Sequence, residues 1–524
     1  MEKGEKPGLD GNLIIEGDNL VALKALLPTH TGRIKCIYID PPYNTGNEGW
    51  VYNDNLTQPQ FKEWIDQTVG KEGEDATRHD KWCCMMYPRL QVLKELLHDA
   101  GAIFVSIDDI EIHHLRMMMD EIFGSDNRLG TLVWKSRNFP DTRPKTGVSV
   151  DHEYILAYRK SRDGRLLGKK RSEAKYSNPD NDPRGDWTSC SLLGKATKEQ
   201  RPNLHYDIAN PKTREVFRCP PETGWICAKA TMERKIAESR ILWPSRAAGR
   251  PREKVFLKEL ESGVLGFPSV IDGVFTSDGT EEIRQIFGGQ NEKVLPFPKP
   301  SLLIRDLVAQ VALENDFVLD SFAGSGTTAH AVLRLNKEDG GNRKCILVQI
   351  PHETKEQTEE KFNICESITL ERVRRIIRGY TYTNSKSKKE KVAGLGGSFT
   401  YASVGKPLFG EYRDWGKELP TYEELAKYIF YTETSRDFDR KVINEKSSKI
   451  GEHHGTSYYL LYTSNGQEDR RLDMDWLKGL DKTEKNKNLV VYCEKIWVHR
   501  DDLAMFEQET KRTVRPMIVP FNLK

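Results

Sequence analysis

The sequence predicts an α/β fold built on a doubly wound, mostly parallel sheet, and three observations support this prediction. Short runs of apolar and β-branched residues alternate with amphipathic helical patterns in two separate parts of the chain. The run Ile34–Ile39 stops at Asp40-Pro41-Pro42, where two prolines prevent a strand from continuing. Strands that alternate with helices usually pair in parallel, because the helix provides the crossover that a parallel connection needs.

The first α/β part covers the first 135 residues, and a further predicted strand follows at His152–Tyr158. Ile34–Ile39 is a strand that stops at a pair of prolines. Pro88–His98 has four leucines on one face, which predicts a helix, and Gly101–Ile107 is a second buried strand. We expect Leu129–Lys135 and His152–Tyr158 to be further strands, paired as a hairpin at the edge of the sheet.

The second α/β part repeats this pattern near the middle of the chain. It contains a helix at Ser301–Leu313 and a strand at Asp316–Asp320, followed by a helix at Thr327–Leu335 and a strand at Lys344–Gln349. We therefore expect both parts to contribute strands to one sheet.

The segment between the two parts has a different character. Its periodicity is weak, and proline, glycine, arginine and tryptophan accumulate, so we interpret it as an inserted domain. A lysine-rich linker (Lys386, Lys388, Lys389 and Lys391) is predicted to lead into a C-terminal region. The predicted division is 1–135 and 291–385 for the two halves of the core, 136–290 for the insertion and 386–524 for the C-terminal domain.

Composition excludes several classes of protein. The 524 residues include 37% hydrophobic and 30% charged residues, with no apolar run long enough to span a bilayer. No apolar stretch follows Met1, so we do not expect a secretory signal. We expect a cytoplasmic location. The nine cysteines form no Cys-x-x-Cys pair, which argues against a disulfide framework and a structural zinc site.

The charge distribution is more informative than the net charge of +2. Eight basic residues stand against two acidic ones between Arg159 and Lys175, and five against one between Ile241 and Lys258. Such patches can neutralise phosphates, although a solvated basic face would have the same composition. Within the second patch, a cluster near glycine and proline predicts phosphate contacts. Its members are Arg246, Arg250, Arg252 and Lys254.

The first candidate site is the segment Asp40-Pro41-Pro42-Tyr43, directly after a predicted strand. Ligands of doubly wound sheets bind at the carboxyl ends of strands. A carboxylate and a backbone carbonyl there can accept both hydrogens of an aromatic amino group and turn its lone pair outward. The prolines stiffen the loop, and the tyrosine can stack on a base taken out of a helix. A simple turn remains the alternative interpretation of this segment.

The second candidate site is the glycine-containing loop Asp320–Thr328, also directly after a predicted strand. Gly324 and Gly326 allow a cofactor to approach the backbone closely. With Ala329 they also satisfy a relaxed dinucleotide fingerprint, which keeps a nicotinamide-dependent dehydrogenase as a rival hypothesis. No lysine follows Gly326, so a nucleotide phosphate loop is excluded.

Together these segments resemble amino-group DNA methyltransferases, specifically adenine-N6 enzymes of the β arrangement, in which the catalytic segment precedes the cofactor segment. The sequence is most similar to the modification subunits of type III restriction–modification systems. The segments that carry this likeness are Gly17-Asp-Asn-Leu20, Tyr38–Gly46, Tyr52-Asn-Asp54, Asp151-His-Glu-Tyr-Ile-Leu156, Phe297-Pro-Lys-Pro-Ser301, Phe322-Ala-Gly-Ser-Gly-Thr327 and Gly394-Leu-Gly-Gly-Ser-Phe399.

This resemblance implies a Rossmann-like methyltransferase core, S-adenosylmethionine as cofactor and base flipping of double-stranded DNA. It also implies a target-recognition role for the insertion, a homodimer and a possible helicase–nuclease restriction subunit as partner. Asp40, Pro41, Pro42 and Tyr43 receive the target-adenine roles. The implied cofactor residues are Asp18, Lys299, Pro300, Ser301, Asp320, Phe322, Gly324, Gly326, Thr327 and Gln349.

Two features of the sequence depart from these expectations or compete with them. Gln349 stands where many methyltransferases have an acid that binds the ribose hydroxyls, so its cofactor role is an open question. The histidine pairs at 113–114 and 453–454 could suggest a metal, but adjacent side chains point apart, and no metal is predicted. Cytosine-N4 methylation and a non-catalytic DNA-recognition subunit remain alternatives.

Overall fold

The computed structural model of the chain contains two compact units. One combines Met1–Leu166 with Pro268–Lys524, and the other is Leu167–Phe267. The structure describes residues 8–44, 74–142, 147–170, 173–246, 249–260, 264–289, 294, 296–353, 355–405, 420–434, 436, 447–463, 470–480 and 487–519.

The α-helices of the described residues are α1 (Asn19–His30), α2 (Glu74–Leu96), α3 (Ile112–Phe123), α4 (Lys229–Ala237), α5 (Thr276–Ile286), α6 (Ser301–Val308), α7 (Thr327–Asp339), α8 (Lys355–Glu359), α9 (Glu371–Arg378), α10 (Tyr422–Thr434), α11 (Met474–Leu480) and α12 (Arg500–Thr510). No helix in this part of the chain is long and apolar enough to cross a membrane.

The strands are β1 (Leu13–Glu16), β2 (Ile34–Ile39), β3 (Leu97–Ile107), β4 (Arg128–Lys135), β5 (His152–Arg159), β6 (Lys169–Lys170), β7 (Trp187–Ser191), β8 (Ile208–Ala209), β9 (Val216–Phe217), β10 (Ile241–Leu242), β11 (Arg252–Phe256), β12 (Val264–Leu265), β13 (Val270–Ile271), β14 (Phe317–Asp320), β15 (Lys344–Gln349), β16 (Gly379–Thr383), β17 (Lys389–Ala393), β18 (Thr400–Ser403), β19 (Lys449–His453), β20 (Thr456–Leu461), β21 (Arg471–Leu472), β22 (Asn488–Cys493), β23 (Lys495–Ile496) and β24 (Val514–Ile518).

The larger unit is built on a nine-stranded sheet in the order β13-β4-β5-β3-β2-β14-β15-β1-β18. Neighbouring strands pair in parallel except at β5, which is antiparallel to both β3 and β4. The buried faces of β2, β3, β14 and β15 carry Ile, Val, Leu and Phe side chains that are almost fully excluded from solvent. The predicted doubly wound, mostly parallel α/β fold is confirmed.

The direction of strand addition reverses between β2 and β14. The chain proceeds from β2 to its neighbour β3 on one side, and from β14 to its neighbour β15 on the other, while β2 and β14 pair in parallel. The connections after these two strands therefore leave in opposite directions and open a crevice at their carboxyl ends, which is where doubly wound sheets bind ligands.

Helix α2 begins earlier than the sequence pattern predicts. It runs through Pro88, which we expected to be its first residue, and starts at Glu74. Trp82, Met85 and Leu90 are fully buried, so the apolar face continues on both sides of the proline. The packing of this face outweighs the hydrogen bond that the proline cannot donate. Helix α6 ends at Val308, five residues before the predicted end.

The inserted unit is shorter than the predicted range of 136–290. His152–Arg159 is strand β5 of the main sheet, and Val270–Ile271 pairs with β4 at its edge. Helix α5 buries Ile283 and Ile286 in apolar clusters of the larger unit. Both flanks of the predicted insertion therefore belong to the larger unit. An antiparallel strand and a packed helix there bury apolar side chains that the weak sequence pattern did not reveal.

The unit Leu167–Phe267 has a small core of its own. Its largest sheet has three antiparallel strands in the order β10-β11-β7. Leu192, Ile208, Trp225, Met232 and Ile241 are buried together in this unit. Trp225 is thus an anchor of the small core.

The predicted boundary at residue 386 is also wrong in detail. The lysine-rich segment is the turn and second strand of a hairpin, β16–β17, rather than a linker. Strand β18 then pairs with β1 at the edge of the main sheet. The C-terminal part begins after this strand and contains a second sheet in the order β19-β20-β22-β24, with α10 packed against it.

Candidate active site

The two loops singled out from the sequence lie side by side. Asp40 directly follows β2, and Asp320 is the last residue of β14, which pairs with β2 in parallel. The carboxyl ends of the two strands are therefore neighbours at the point where strand order reverses.

The loop after β2 is fixed from behind by helix α2. The indole nitrogen of the buried Trp82 donates a 2.7 Å hydrogen bond to the carbonyl of Pro42. Pro41 is buried as well. Two prolines and the Trp82 hydrogen bond therefore restrict the backbone of the loop that carries Asp40.

The Tyr43 hydroxyl joins two carboxylates. It lies 2.9 Å from Asp40 Oδ1 and 2.9 Å from Glu153 Oε2, and it can donate to one of them at a time. Burial and then the carboxylates of Asp40 and Glu153 raise the pKa of Tyr43 well above its ordinary value, so the hydroxyl stays protonated. Glu153 belongs to β5 and lies in the Asp151–Leu156 segment of the sequence likeness.

Lys299 points into the same cluster. Its Nζ lies 2.9 Å from Asp40 Oδ2, 3.2 Å from Glu153 Oε2 and 2.8 Å from the Tyr43 oxygen. Burial alone would lower the pKa of this lysine, but the two carboxylates raise it above its ordinary value. The sequence likeness implied that Lys299 binds the cofactor, whereas the structure brings its ammonium group to Asp40 and Glu153.

The glycine loop after β14 takes a left-handed backbone at two positions. Gly324 has φ 50° and Gly326 has φ 79°, which favour glycine. The amide of Gly324 donates to Gln349 Oε1 at 2.6 Å, and its carbonyl accepts from the Thr369 hydroxyl at 2.6 Å. The loop is therefore held on both sides of Gly324 by side chains from other segments.

Asp320 stabilises the glycine loop by accepting hydrogen bonds from other residues of the same loop. It accepts hydrogen bonds from the Phe322 amide and the Thr328 hydroxyl, and its side chain is buried. Burial raises the pKa of Asp320 to about 7. Asp320 therefore shapes the loop.

A buried arginine links the glycine loop to the start of α6. Arg372 of α9 is fully buried and donates to Ser325 Oγ at 2.7 Å, to Thr327 Oγ1 at 2.8 Å and to Glu282 Oε2 at 2.9 Å. Glu282 also accepts a hydrogen bond from the backbone nitrogen of Ser301. Sequence reasoning missed Arg372 and Glu282, because one arginine in a basic helix carries no distinguishing signal and Glu282 fell in the predicted insertion.

Asp18 and Gln349 have structural partners. Asp18 caps α1 by accepting from the Val21 amide, and it pairs with Arg89. The side-chain oxygen of Gln349 accepts a hydrogen bond from the Gly324 amide. Its side-chain nitrogen donates one to Glu353 at 2.7 Å. Burial raises the pKa of Glu353. Sequence reasoning missed Glu353. It places a carboxyl group near the end of β15, where Gln349 replaces the acid with which many methyltransferases bind the ribose hydroxyls of the cofactor.

A buried carboxylate also lies beside the residue that follows Tyr43. Glu111 accepts hydrogen bonds from Asn44 and contacts the Nδ1 atoms of His79 and His114 at 2.6 and 2.9 Å. It directly precedes α3, but its side chain makes no capping hydrogen bond. The Tyr52–Asp54 segment of the sequence likeness lies outside the described residues.

The four basic residues proposed for DNA contacts have different surroundings. Arg246 and Arg250 are exposed, and Arg252 is exposed but bound to Ser189. Lys254 is buried, only 6% exposed, and pairs with Asp180 and Asp182. The prediction that Lys254 contacts phosphate is therefore wrong, because its charge is already compensated inside the small unit.

Comparison with known proteins gives a consistent assignment. Residues 34–360 match the model of a family described as DNA methylase. The chain is 33% identical over 390 residues to the type III restriction–modification enzyme StyLTI Mod subunit of Salmonella typhimurium, covering 70% of this chain and 57% of that protein. It is 32% identical over 420 residues to the EcoP15I Mod subunit of Escherichia coli, covering 69% and 62%.

A shorter relative is covered more completely. The type II methyltransferase M.KpnI of Klebsiella pneumoniae is 34% identical over 354 residues, covering 64% of this chain and 80% of that protein. Two solved structures also match. M1.HpyAVI with SAM is 14% identical, covers 67% of this chain and 98% of that chain, and has a TM-score of 0.29. PvuII DNA methyltransferase, cytosine-N4-specific, is 13% identical, covers 71% of this chain and 95% of that chain, and has a TM-score of 0.33. The family match spans both loops of the site, and this chain belongs to the DNA methylase family.

Proposed function

We propose that this chain is a site-specific DNA methyltransferase that methylates the exocyclic N6 amino group of adenine. The observation that carries the proposal is the position of Asp40 and Tyr43 at the carboxyl end of β2, beside the glycine loop after β14. The spans matched in the two Mod subunits are about 57% and 62% of their lengths, so the activity, substrate and partners remain proposals.

The residues of the loop after β2 suit an amino-group substrate. Asp40 carries a carboxylate that can accept a hydrogen bond from the target amino group, and the Pro41 carbonyl is proposed to accept the second. Such a pair orients the nitrogen lone pair and stabilises the positive charge that develops on the nitrogen during attack. Tyr43 is proposed to contact the flipped base.

The glycine loop suits S-adenosylmethionine, which supplies the methyl group when bound. A Cβ atom built on Gly324 meets only the Phe322 carbonyl, at 4.0 Å, so the space in front of this glycine is open to a ligand. Residues Phe322, Gly324, Gly326 and Thr327 of this loop, with Pro300 and Ser301 at the start of α6, are proposed to hold the cofactor. Glu353 is a candidate for its ribose hydroxyls, since Gln349 is already engaged by Gly324.

The unit Leu167–Phe267 is proposed to recognise the target sequence, with Arg246, Arg250 and Arg252 contacting DNA. The similarity to Mod subunits further supports two proposals about assembly: a homodimer, and a restriction subunit as partner. Light scattering of the purified chain, alone and mixed with a candidate restriction subunit, tests both.

The activity is tested by expressing the chain in cells that lack other DNA methyltransferases and analysing their nucleosides by mass spectrometry. N6-methyladenine is expected with the parental chain and absent with Asp40→Ala. N4-methylcytosine would replace the adenine assignment by the cytosine alternative. Unmodified DNA, with the purified chain inactive on duplexes of varied sequence, would favour a non-catalytic recognition subunit.

A further inference from the structure

One ammonium group serves two carboxylates in the proposed target site. Lys299 Nζ contacts Asp40 Oδ2 at 2.9 Å and Glu153 Oε2 at 3.2 Å, and its side chain is only 9% exposed. The Tyr43 hydroxyl lies within hydrogen-bond distance of the same two carboxylates and donates to one of them at a time. The four groups come from three distant segments: the loop after β2, strand β5 and the segment before α6.

The charges of this cluster explain why a lysine stands there. Two carboxylates that share partners in a partly buried site repel each other, and without a cation one of them tends to take up a proton. A protonated Asp40 would offer a donor where the target amino group needs an acceptor. The Lys299 ammonium removes this repulsion by contacting both carboxylates at once.

We infer that Lys299 is a positioning residue that keeps Asp40 ionised, and that Glu153 holds the ammonium group in place. This inference rests on the proposed methyl transfer and on the role of Asp40 in it. It assigns to Lys299 a function in the target site rather than contact with the cofactor, and it gives Glu153 a function for the first time.

Other ionisable groups also face this cluster. Asp320 and Glu353 interact electrostatically with Asp40, and Asp108 interacts with Glu153. These groups add further negative potential around Asp40 wherever they are ionised, and Tyr38 and Tyr43 are neutral because burial first, and then nearby carboxylates, raise the pKa of each. Lys299 is the cation that directly contacts Asp40 among the described ion pairs.

The test compares Lys299→Met, Glu153→Gln and the double variant with the parental chain. Methyl transfer to DNA is measured across pH at saturating cofactor, and cofactor binding is measured by calorimetry. For Lys299→Met we expect the acid limb of the rate profile to move upward by about one pH unit or more, with activity recovering at high pH. The double variant, which leaves a single carboxylate, should return the limb toward the parental position.

Three outcomes would overturn the inference. A Lys299→Met profile lowered equally at all pH values would mean that the lysine has another role, and so would a limb that stays shifted in the double variant. A selective loss of cofactor affinity would return Lys299 to the cofactor site. Lys299→Gln, which keeps a polar group near Tyr43, replaces Lys299→Met if that variant does not fold.

A second readout does not depend on turnover. Infrared difference spectra between Lys299→Met and the double variant, recorded at several pH values between 4 and 7, should contain the band of a protonated carboxyl group in the single variant. An absent band contradicts the inference whether or not the chain methylates DNA. An inactive parental chain whose Lys299→Met variant has the band would instead contradict only the proposed function.

Discussion

The side-chain oxygen of Gln349 lies 2.6 Å from the backbone nitrogen of Gly324, so the end of β15 holds the glycine loop that follows β14. Gln349 also donates to Glu353 and to the carbonyl of Ile350. Gln349 therefore stabilises the glycine loop. A neutral amide at this position can accept a hydrogen bond from Gly324 and donate one to Glu353.

Replacing Gln349 by leucine should therefore weaken cofactor binding. The partly buried Gly324 amide would lose its acceptor. An unsatisfied buried donor costs about 1–3 kcal/mol, which corresponds to about a fivefold or larger loss of affinity if the loop must be ordered to bind. Calorimetric titration with S-adenosylmethionine measures the effect. Gln91→Leu on an exposed face of α2 is the control, and equal affinities in the two variants would contradict the supporting role.

Gly324→Ala should reduce cofactor affinity more than Gly340→Ala. Both glycines have positive φ, at 50° and 76°, and neither has a close neighbour around a built Cβ atom. Each substitution should cost about 1–2 kcal/mol of folding stability, because the left-handed conformation disfavours a side chain. Only Gly324 faces the proposed cofactor. Matched stability losses with unchanged binding in both variants would place the cofactor elsewhere.

Asp40→Ala should abolish most methyl transfer and leave cofactor binding close to parental. The carboxylate is proposed to contact the target amino group, and loss of a positioned group of this kind typically costs about 10²–10⁴ in rate. Single-turnover transfer of a labelled methyl group measures the rate. Asp10→Ala, outside the site, is a control for expression and folding. Near-parental rates in a folded Asp40 variant would remove Asp40 from the mechanism.

Arg250 and Lys254 should respond differently to alanine substitution. Arg250 is exposed, so its loss should weaken binding to all duplexes alike and reduce the salt dependence by about one unit. Lys254 is buried with Asp180 and Asp182, so its loss should lower the stability of the unit Leu167–Phe267. Fluorescence anisotropy across salt and thermal unfolding distinguish the two. An Arg250 variant that binds like the parent would not be a phosphate contact.

His30 should make the protein less stable as the pH falls below about 6.5. Burial, and then the charge of Arg33, lowers the pKa of His30 to about 4, so the folded state keeps this histidine neutral while the unfolded state takes up a proton. The stabilising contribution is complete above the unfolded pKa and is lost as the pH falls toward 4. Urea unfolding measured at several pH values tests this.

The parental chain should lose about 2.5 kcal/mol more than His30→Asn between pH 7 and pH 4.5. His98→Asn, at an exposed position, should lose stability with pH as the parent does. If the free energy of unfolding falls with pH equally in the parent and in the His30 variant, His30 takes up its proton as readily in the folded state as in the unfolded state.

The sequence by itself determined the parts of this protein that depend on local patterns. Strands β2 and β15 have the predicted bounds, because continuous apolar runs that end at prolines or polar residues permit few other conformations. The loops after β2 and β14 were placed at strand ends for the same reason. The doubly wound fold followed from the alternation of these strands with amphipathic helices.

Only the tertiary structure decided which groups meet in the site. Lys299 and Tyr43 are 256 positions apart, and Arg372 and Glu282 are 90 apart, so no local pattern relates them. The same holds for Lys254, whose burial depends on acids more than 70 residues earlier. Local periodicity reports the burial of each segment, whereas the partner of a charged side chain is set by the packing of distant segments.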